Sequence, residues 1–332
     1  MSDPLIPDCV DMAHPVVRKD YSLFTPAIEE LGDTCGVWID GRVKGGVIFG
    51  PSQFGKSSGV DHWLGRLLDE RLKGRVSLII WTHQDHGSSA SPGGFHAKLL
   101  KAANLGHPTR GNATTTLHRL VERLTEFAYR NEGRFVVIVI DEAQGMSQRE
   151  WLWLVQLHAT LETEGVQLCV ISIASFQFNE KPRDLALTGS AHAAARFMLH
   201  ERQFRGMQSV DEIRYVLAGY DEDSEWPLGS GLSYSAGLAP RAFEEGFRIA
   251  NYSAELWDML HECLPIGYSG SSEFPMQSIT LAARQVLLRV AGAASRWDNC
   301  VDLDSWRGAV LSSGHKKLMG LVSMYAGRTS SR

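Results

Sequence analysis

The sequence has few cysteines, no long apolar run and no excess of basic charge. Its five cysteines are scattered, odd in number and never spaced as Cys-x-x-Cys, which argues against a disulfide framework and a zinc site. No stretch reaches the roughly 18 apolar residues that a membrane helix needs, and residues 1–10 lack the apolar segment of a secretory signal. We therefore expect a reduced, cytoplasmic protein with no membrane partner.

The charge balance excludes a globally basic nucleic-acid binder. There are 38 acidic and 33 basic side chains, which gives a net charge of −5 at pH 7. Any contact with nucleic acid must then come from a local patch or from many subunits acting together. With 332 residues, of which 44% are hydrophobic, the chain is long enough for two or three domains or subdomains.

One glycine-rich stretch has the spacing of a phosphate-binding loop. Gly50 and Gly55 frame a loop that follows the apolar run 46–49 and precedes Lys56 and Ser57, which gives Gly-x-x-x-x-Gly-Lys-Ser in a strand–loop–helix context. Glycines let the backbone N–H groups turn toward phosphate oxygens, and a helix N-terminus adds partial positive charge. We expect Lys56 to reach the β- and γ-phosphates and the Ser57 hydroxyl to bind Mg²⁺. The predicted nucleotide-binding residues of this loop are Gly50, Pro51, Ser52, Gln53, Phe54, Gly55, Lys56, Ser57 and Ser58.

A second motif follows the apolar run 135–140, whose β-branched residues are typical of a strand buried on both faces of a parallel sheet. The run ends in Asp141 and Glu142. An acidic pair at this place is the Walker B arrangement, in which Asp141 holds Mg²⁺ and Glu142 polarises the attacking water. The alternative is a pair of helix N-cap acids. The upstream loop favours the Walker B interpretation, because both motifs must converge on one Mg²⁺–phosphate group.

The remaining pattern predicts an α/β core followed by helices. We expect strands at 75–82 and 166–174 and a short strand at 197–200; residues 36–39 are either an edge strand or the lead-in to the strand before the phosphate loop. Ser175, or with less support Gln177, follows the strand 166–174 and is placed to sense the γ-phosphate, because ligands gather at the carboxyl ends of strands; a simple turn serine is the alternative. Helices are predicted at 58–72, 95–104, 114–131, 150–162, 184–196, 210–220, 238–251, 254–263, 276–294 and 306–325.

Four histidines between residues 83 and 112 do not have metal-site spacing. His83, His86, His96 and His107 include no helical i, i+4 pair, and no cysteine accompanies them. We interpret them as solvated loop residues.

The order of the motifs resembles that of AAA+ ATPases: phosphate loop, Walker B pair, a polar residue after the next strand, an arginine before a last short strand, and Pro240-Arg241 opening a helix. Within that superfamily the chain resembles the TnsC/TniB-type transposition regulators over about residues 14–260. The resemblance implies an α/β AAA+ P-loop fold, with a parallel sheet flanked by helices and a small helical lid. The expected division is a lead-in at 1–35, an ATPase core at 36–206, a lid at 207–265 and a helical extension at 266–332.

The resemblance also implies roles for single residues. Ser175 matches sensor 1, and Arg241 matches the sensor 2 arginine of the lid. Arg196 is the candidate arginine finger, acting on the γ-phosphate of a neighbouring subunit, with Arg202 and Arg205 as rivals. The candidates for contacts with the DNA backbone are Lys98, Lys101, Arg110 and Arg119, with a solvated charged face as the alternative for each.

Proteins of this type are expected to bind ATP and Mg²⁺ and to form rings or filaments on duplex DNA. They link a targeting protein of the TniQ type to transposase subunits, and they hydrolyse ATP slowly to disassemble. Two other hypotheses stay open: another AAA+ DNA-associated switch, such as a phage or plasmid replication loader, and a signalling ATPase that does not bind DNA. No convincing basic helix-turn-helix follows residue 260, which disfavours the loader, and the large repeat or effector domains of the signalling class are absent from this sequence.

Overall fold

The computed structural model describes residues 5–84, 90–104, 112–131, 133–293 and 296–329. The chain divides into two compact units. We call residues 28–52 and 56–204 the sheet unit, and residues 1–27, 53–55 and 205–332 the helical unit.

The sheet unit is built on five parallel strands: β1 (Gly45–Gly50), β2 (Ser77–Thr82), β3 (Phe135–Asp141), β4 (Gln167–Ser175) and β5 (His200–Gln203). Their order across the sheet is β2-β3-β4-β1-β5. The register pairs Gly50 with Ser175 and Thr82 with Asp141, so the carboxyl ends of the four long strands lie along one edge. We call this the carboxyl edge and the opposite one the amino edge. Every residue of β3 is buried, as its β-branched sequence predicts.

Helices flank the sheet, and their core-facing side chains pack on β3 and β4. A π-helical turn, Val60–Leu64, joins the helices Lys56–Gly59 and Gly65–Leu72. The helices before β5 are α1 (Pro15–Arg18), α2 (Pro26–Asp40), α3 (Lys56–Gly59), α4 (Gly65–Leu72), α5 (Pro92–Ala102), α6 (Ala113–Arg130), α7 (Gln148–Thr163), α8 (Lys181–Leu187) and α9 (Ala191–Phe197).

The helical unit packs around large buried side chains such as Tyr220, Phe247 and Trp306. In this unit Arg284 donates hydrogen bonds to the backbone carbonyls of Val16 (2.8 Å) and Val17 (2.9 Å). Within the described parts of the chain, every helix is too short or too polar to cross a lipid bilayer. The helices after β5 are α10 (Val210–Asp221), α11 (Tyr234–Leu238), α12 (Pro240–Glu244), α13 (Ser253–Glu262), α14 (Met276–Gly292), α15 (Leu303–Ser312) and α16 (His315–Thr329).

Three predicted elements before residue 205 are wrong. Residues 36–39 belong to α2 and form no edge strand, because a short apolar run fits a buried helix as well as a strand. The predicted helix 184–196 is two helices, α8 and α9, since Gly189 between them adopts a φ of 81°. The last strand begins at His200, because Phe197 ends α9 and is buried beside Trp151.

Two predicted helices of the helical unit are also wrong in extent. The helix expected to run to residue 251 ends at Glu244, since Gly246 has a φ of 102° and a 3-10 turn, Ile249–Tyr252, follows. The helix expected at 306–325 is interrupted by Gly314, which has a φ of 78° and separates α15 from α16. In both places a glycine with positive φ ends the helix.

Candidate active site

Backbone carbonyls at the end of β1 and directly after it hold the amino group of Lys56, the first residue of α3. Gln53 and Gly55, between β1 and α3, adopt positive φ angles of 71° and 105°, a type of backbone that also occurs in anion-binding nests. Lys56 is 9% exposed, and its Nζ donates hydrogen bonds to the carbonyls of Gly50 (3.0 Å) and Pro51 (2.6 Å). The loop therefore holds a buried ammonium group at the start of a helix.

Two carboxylates share the carboxyl edge with this ammonium group. Burial lowers the pKa of Lys56 to about 8, although the nearby Asp141 and Glu142 act to raise it. Asp141 is 3% exposed, and its Oδ1 accepts a hydrogen bond from the Glu142 N–H (2.9 Å). The His83 N–H donates to the Asp141 carbonyl (2.9 Å), which fixes the end of β3. The phosphate-loop lysine and the Walker B pair thus lie in one electrostatic environment.

A glutamine links the Walker B pair to the next strand. The Nε2 of Gln144 donates to the Oε2 of Glu142, and its Oε1 accepts from the Ser175 N–H (3.0 Å). The Ser175 hydroxyl oxygen is buried and has no hydrogen-bond partner among the described residues. A buried hydroxyl without a partner is unfavourable, so the site fits a ligand oxygen or a water bound next to Ser175.

The groups present fit a magnesium–triphosphate. Lys56 supplies an ammonium group, Ser57 lies in the first turn of α3, Asp141 supplies a carboxylate, and Ser175 supplies a buried hydroxyl that has no partner among the described residues. The metal, when bound, would neutralise charge on the β- and γ-phosphates. Ser57 and Asp141 are the residues that would hold it.

The three arginine-finger candidates have different partners. Arg196 lies near the amino edge, because α9 leads into β5, whose His200 pairs with Gly46 near the start of β1. Its Nη1 is 3.4 Å from the His158 Nδ1. Elsewhere, Arg202 contacts Glu30 at 3.6 Å in the sheet unit, and Arg205 contacts Glu212 at 2.8 Å in the helical unit.

The remaining predicted site residues lie on helices. Arg241, on α12 of the helical unit, donates to Glu245 (3.0 Å). In the sheet unit, Lys101 is exposed on α5, whereas Lys98 on α5 and Arg119 on α6 are half-buried. Arg110 lies outside the described residues.

A buried histidine–carboxylate pair next to Walker B was missed. The Nε2 of His83 donates to Glu150 Oε1 (3.0 Å), and Glu150 Oε2 accepts from the Ser147 N–H and hydroxyl (2.8 Å each). The solvated interpretation is wrong for His83 (5% exposed) and for His96 (1% exposed), the latter with its pKa lowered to about 4 by burial. His86 and His107 lie outside the described residues. The Ser147-x-x-Glu150 capping box was the one sequence signal of this pair, and it points only to a helix start.

Asp61 is a second residue that sequence reasoning missed. It lies on the π-helical turn after the phosphate loop, and burial together with the nearby Asp141 raises its pKa. Single π-helical turns are rare and frequently occur at functional sites. Asp61 therefore joins the acidic groups around Asp141, although its spacing from the loop gave no indication of this.

Part of the chain matches a known domain family, and the fold is similar to that of solved structures. The family model of the AAA domain matches residues 42–179. A solved structure of Drosophila ORC bound to DNA has a similar fold, with 15% identity and a TM-score of 0.55 over 86% of this chain and 67% of that chain. The ADP form of the Aeropyrum pernix ORC2 protein is similar with 13% identity and a TM-score of 0.51, over 86% of this chain and 67% of that chain.

At such identities the likeness shows the fold alone. Together with the family model, it confirms the predicted AAA+ architecture, a parallel sheet flanked by helices with a helical region after it. A search of curated proteins finds no match.

Proposed function

Because residues 42–179 form an AAA-type P-loop ATPase domain, we propose that this chain is an ATP-driven switch that acts on duplex DNA. One observation carries the ATPase part of the proposal. The buried Lys56 ammonium, the Asp141–Glu142 pair and the buried Ser175 hydroxyl belong to strands and loops that meet at the same edge of the sheet. In this proposal Lys56 binds the phosphates, Ser57 and Asp141 hold Mg²⁺, and Glu142 activates water.

The DNA part of the proposal rests on separate observations. The similar structure from Drosophila is of ORC bound to DNA. Lys98, Lys101, Arg110 and Arg119 are the proposed contacts of the segment after β2, and they would bind backbone phosphates without reading bases. The net charge of −5 favours weak binding per subunit, summed over an assembly of many copies.

The finer proposal is a transposition regulator of the TnsC/TniB type, with the predicted lead-in, core, lid and extension. Such a protein would assemble with ATP as a ring or filament on target DNA in the cytoplasm. It would connect a targeting protein of the TniQ type to transposase subunits and would disassemble as ATP is hydrolysed. Arg196 would act in trans as the arginine finger, Arg241 would contact nucleotide from the lid, and Ser175 would sense the γ-phosphate. The order of the motifs and their residue sequences support this proposal, in particular the sequence Asp141-Glu142-Ala143-Gln144.

A replication initiator or loader is the second candidate. The observation in its favour is the fold likeness to two ORC structures, which extends over 86% of the chain and so includes most of both units. A sequence-specific DNA-binding domain is expected of such a protein and not of a transposition regulator.

Electron microscopy with duplex DNA and a non-hydrolysable ATP analogue tests the proposal. A transposition regulator gives rings or filaments threaded by DNA of any sequence, and only when nucleotide is present. An initiator binds one sequence as a defined small complex, and single particles that ignore DNA would contradict both candidates. A matched sample without nucleotide is the control.

A further inference from the structure

A cleft of about 680 Å³ lies in the sheet unit at the amino edge, opposite the candidate active site. It is lined by the C-terminal ends of α2 and α4, by the segments that follow these helices, and by the segment that leads into β3 together with the first residue of β3. Four of its lining side chains are basic and one is acidic: Arg42, Arg71, Lys73, Arg75 and Asp40. In a chain with net charge −5, this is a concentrated positive surface.

Arg71 forms one wall of the cleft, and its side chain is held in place by ion pairs. It lies across α2 at Gly36, where an added Cβ would come within 2.4 Å of the Arg71 side chain. Its guanidinium pairs with Asp33 (3.3 Å) and Asp40 (2.9 Å). Its charge is therefore balanced locally, and the unbalanced charge of the cleft comes from the other three basic residues.

Arg42, Lys73 and Arg75 are exposed and form no ion pair with any residue that the structure describes; Glu132, nearby in sequence, is outside that set. The Arg42 guanidinium is held 4.3 Å above the centroid of the Phe135 ring, and its Nη1 donates to the Gly133 carbonyl (3.4 Å). A guanidinium that stacks on an aromatic ring keeps its positive charge, but its side chain has less conformational freedom. Among the described residues, the cleft thus presents one oriented guanidinium and two exposed cations without an ion-pair partner.

The backbone gives a second, independent observation. Arg42, Lys73 and Arg134 occupy the turns before β1, β2 and β3, and each has a left-handed backbone with φ of 53°, 52° and 47°. Glycine or asparagine adopts this conformation at lower free energy. Strained residues of this kind cluster at functional sites. A basic residue in all three turns is expected if positive charge is needed along this edge.

We propose that this cleft binds backbone phosphates of duplex DNA, an inference that rests on the DNA association proposed above. Phosphates are favoured over an acidic peptide because charge dominates the cleft: of its apolar lining side chains, Ile39 and Phe135 are each 2% exposed, and Leu72 and Val76 are only part-exposed. Protein interfaces depend on buried apolar and aromatic anchors, whereas phosphate contacts need only cations. The surface is distinct from that of Lys98 and Lys101, since α5 packs through Phe95 on Trp81 near the carboxyl end of β2.

The test compares two double variants that remove the same charge. Lys73→Gln with Arg75→Gln alters the cleft, and Lys316→Gln with Lys317→Gln removes two exposed cations of α16 in the helical unit. Binding of a short labelled duplex is measured with a non-hydrolysable ATP analogue between about 50 and 200 mM salt. The cleft variant is expected to bind about tenfold more weakly at low salt, with the slope of log K against log salt reduced by about 2, while the α16 variant matches the wild type.

A third variant separates charge from folding. Lys73→Gly relieves the left-handed strain, so it is expected to unfold at the same or a higher temperature while binding duplex more weakly. A lower unfolding temperature with unchanged DNA binding would mean that Lys73 only stabilises the C-terminal end of α4, where a cation favours the helix dipole. This result would overturn the inference.

Three further results would also overturn it. If the wild type binds duplex and the cleft variant binds equally well with the same salt slope, the cleft is not the contact, and the proposed function stands. If polyglutamate binds the cleft more tightly than duplex does, the cleft is a protein-docking site. If the wild type does not bind duplex with nucleotide, the inference fails together with the DNA part of the proposed function.

Discussion

The side-chain amide of Gln144 holds the carboxylate of Glu142 and so ties the Walker B pair to β4. Its Nε2 donates to Glu142 Oε2, and its Oε1 accepts from the Ser175 N–H at 3.0 Å. Glu142 has a left-handed φ of 57°, a conformation that costs about 1–3 kcal/mol and persists only where the surroundings impose it. The proposed base and the proposed γ-phosphate sensor are therefore positioned by one side chain.

The first prediction concerns this positioning. Gln144→Ala is expected to lower kcat for ATP hydrolysis tenfold to hundredfold with little change in ATP affinity. A hydrogen bond to a charged group contributes about 1.5–3 kcal/mol, and 1.36 kcal/mol is a factor of about ten in rate. Gln148→Ala is the matched control, because that amide donates to Thr188 (3.0 Å) and Ser190 (2.8 Å) and touches neither Glu142 nor Ser175. Equal rates for the two variants would exclude a positioning role for Gln144.

The second prediction assigns the water-activating group. Glu142→Gln is expected to bind ATP as the wild type does and to hydrolyse it about 10²–10⁴-fold more slowly, because an amide cannot accept the proton of the attacking water. Its assemblies on DNA should therefore last longer. Single-turnover hydrolysis and nucleotide titration measure the two quantities separately. An unchanged hydrolysis rate would remove Glu142 from this role.

The third prediction follows from the pKa of Lys56, which burial lowers to about 8 from its ordinary 10.5. A bound triphosphate favours the charged amine and raises this pKa. Binding of ATP near pH 8.5 should therefore be accompanied by uptake of a fraction of a proton, measurable by calorimetry in buffers of different ionisation enthalpy. Lys56→Arg, which stays charged, should take up none. Equal proton uptake by the two proteins would mean that Lys56 does not contact the phosphates.

The fourth prediction concerns acid stability. Burial acts to raise the pKa of Glu150, but hydrogen bonds from His83 and Ser147 outweigh it and lower the pKa to about 2 from 4.5. A carboxyl with a lowered pKa stabilises the fold fully above the unfolded value and loses that contribution as pH falls from about 4.5 toward 2. Glu150→Gln should lose about 1–3 kcal/mol at neutral pH and show a shallower fall in this acid range. Urea unfolding measures both, with Glu164→Gln, an exposed acid at the end of α7, as the control.

Much of the sheet unit could be predicted because its signals are local. The strands β1, β3 and β4 are continuous apolar runs, and the phosphate loop and Walker B pair directly follow two of them. The edge strand at 36–39 was predicted wrongly, because four residues do not distinguish a strand from part of a buried helix. The helix breaks at Gly189 and Gly314 were missed, since a glycine in a helical pattern ends the helix only where its φ turns positive.

The parts of the site that depend on tertiary contacts could not be predicted. Gln144 and Ser175 are 31 residues apart, and His83 and Glu150 are 67 apart, so no spacing rule connects them. The basic cleft likewise combines three separate turns that meet only after the strands align in parallel. Register, which places these turns side by side, follows from pairing across the whole sheet.

The central claim is that a triphosphate bound at Lys56 decides whether copies of this chain assemble on a double helix. The most direct measurement is nucleotide affinity together with ATP-dependent co-sedimentation with duplex DNA for the wild type, Lys56→Ala and Lys44→Ala, an exposed lysine of the same unit. We predict that Lys56→Ala binds nucleotide about 100-fold or more weakly and fails to assemble, while Lys44→Ala behaves as the wild type. Assembly of Lys56→Ala on DNA with wild-type nucleotide affinity would contradict the account.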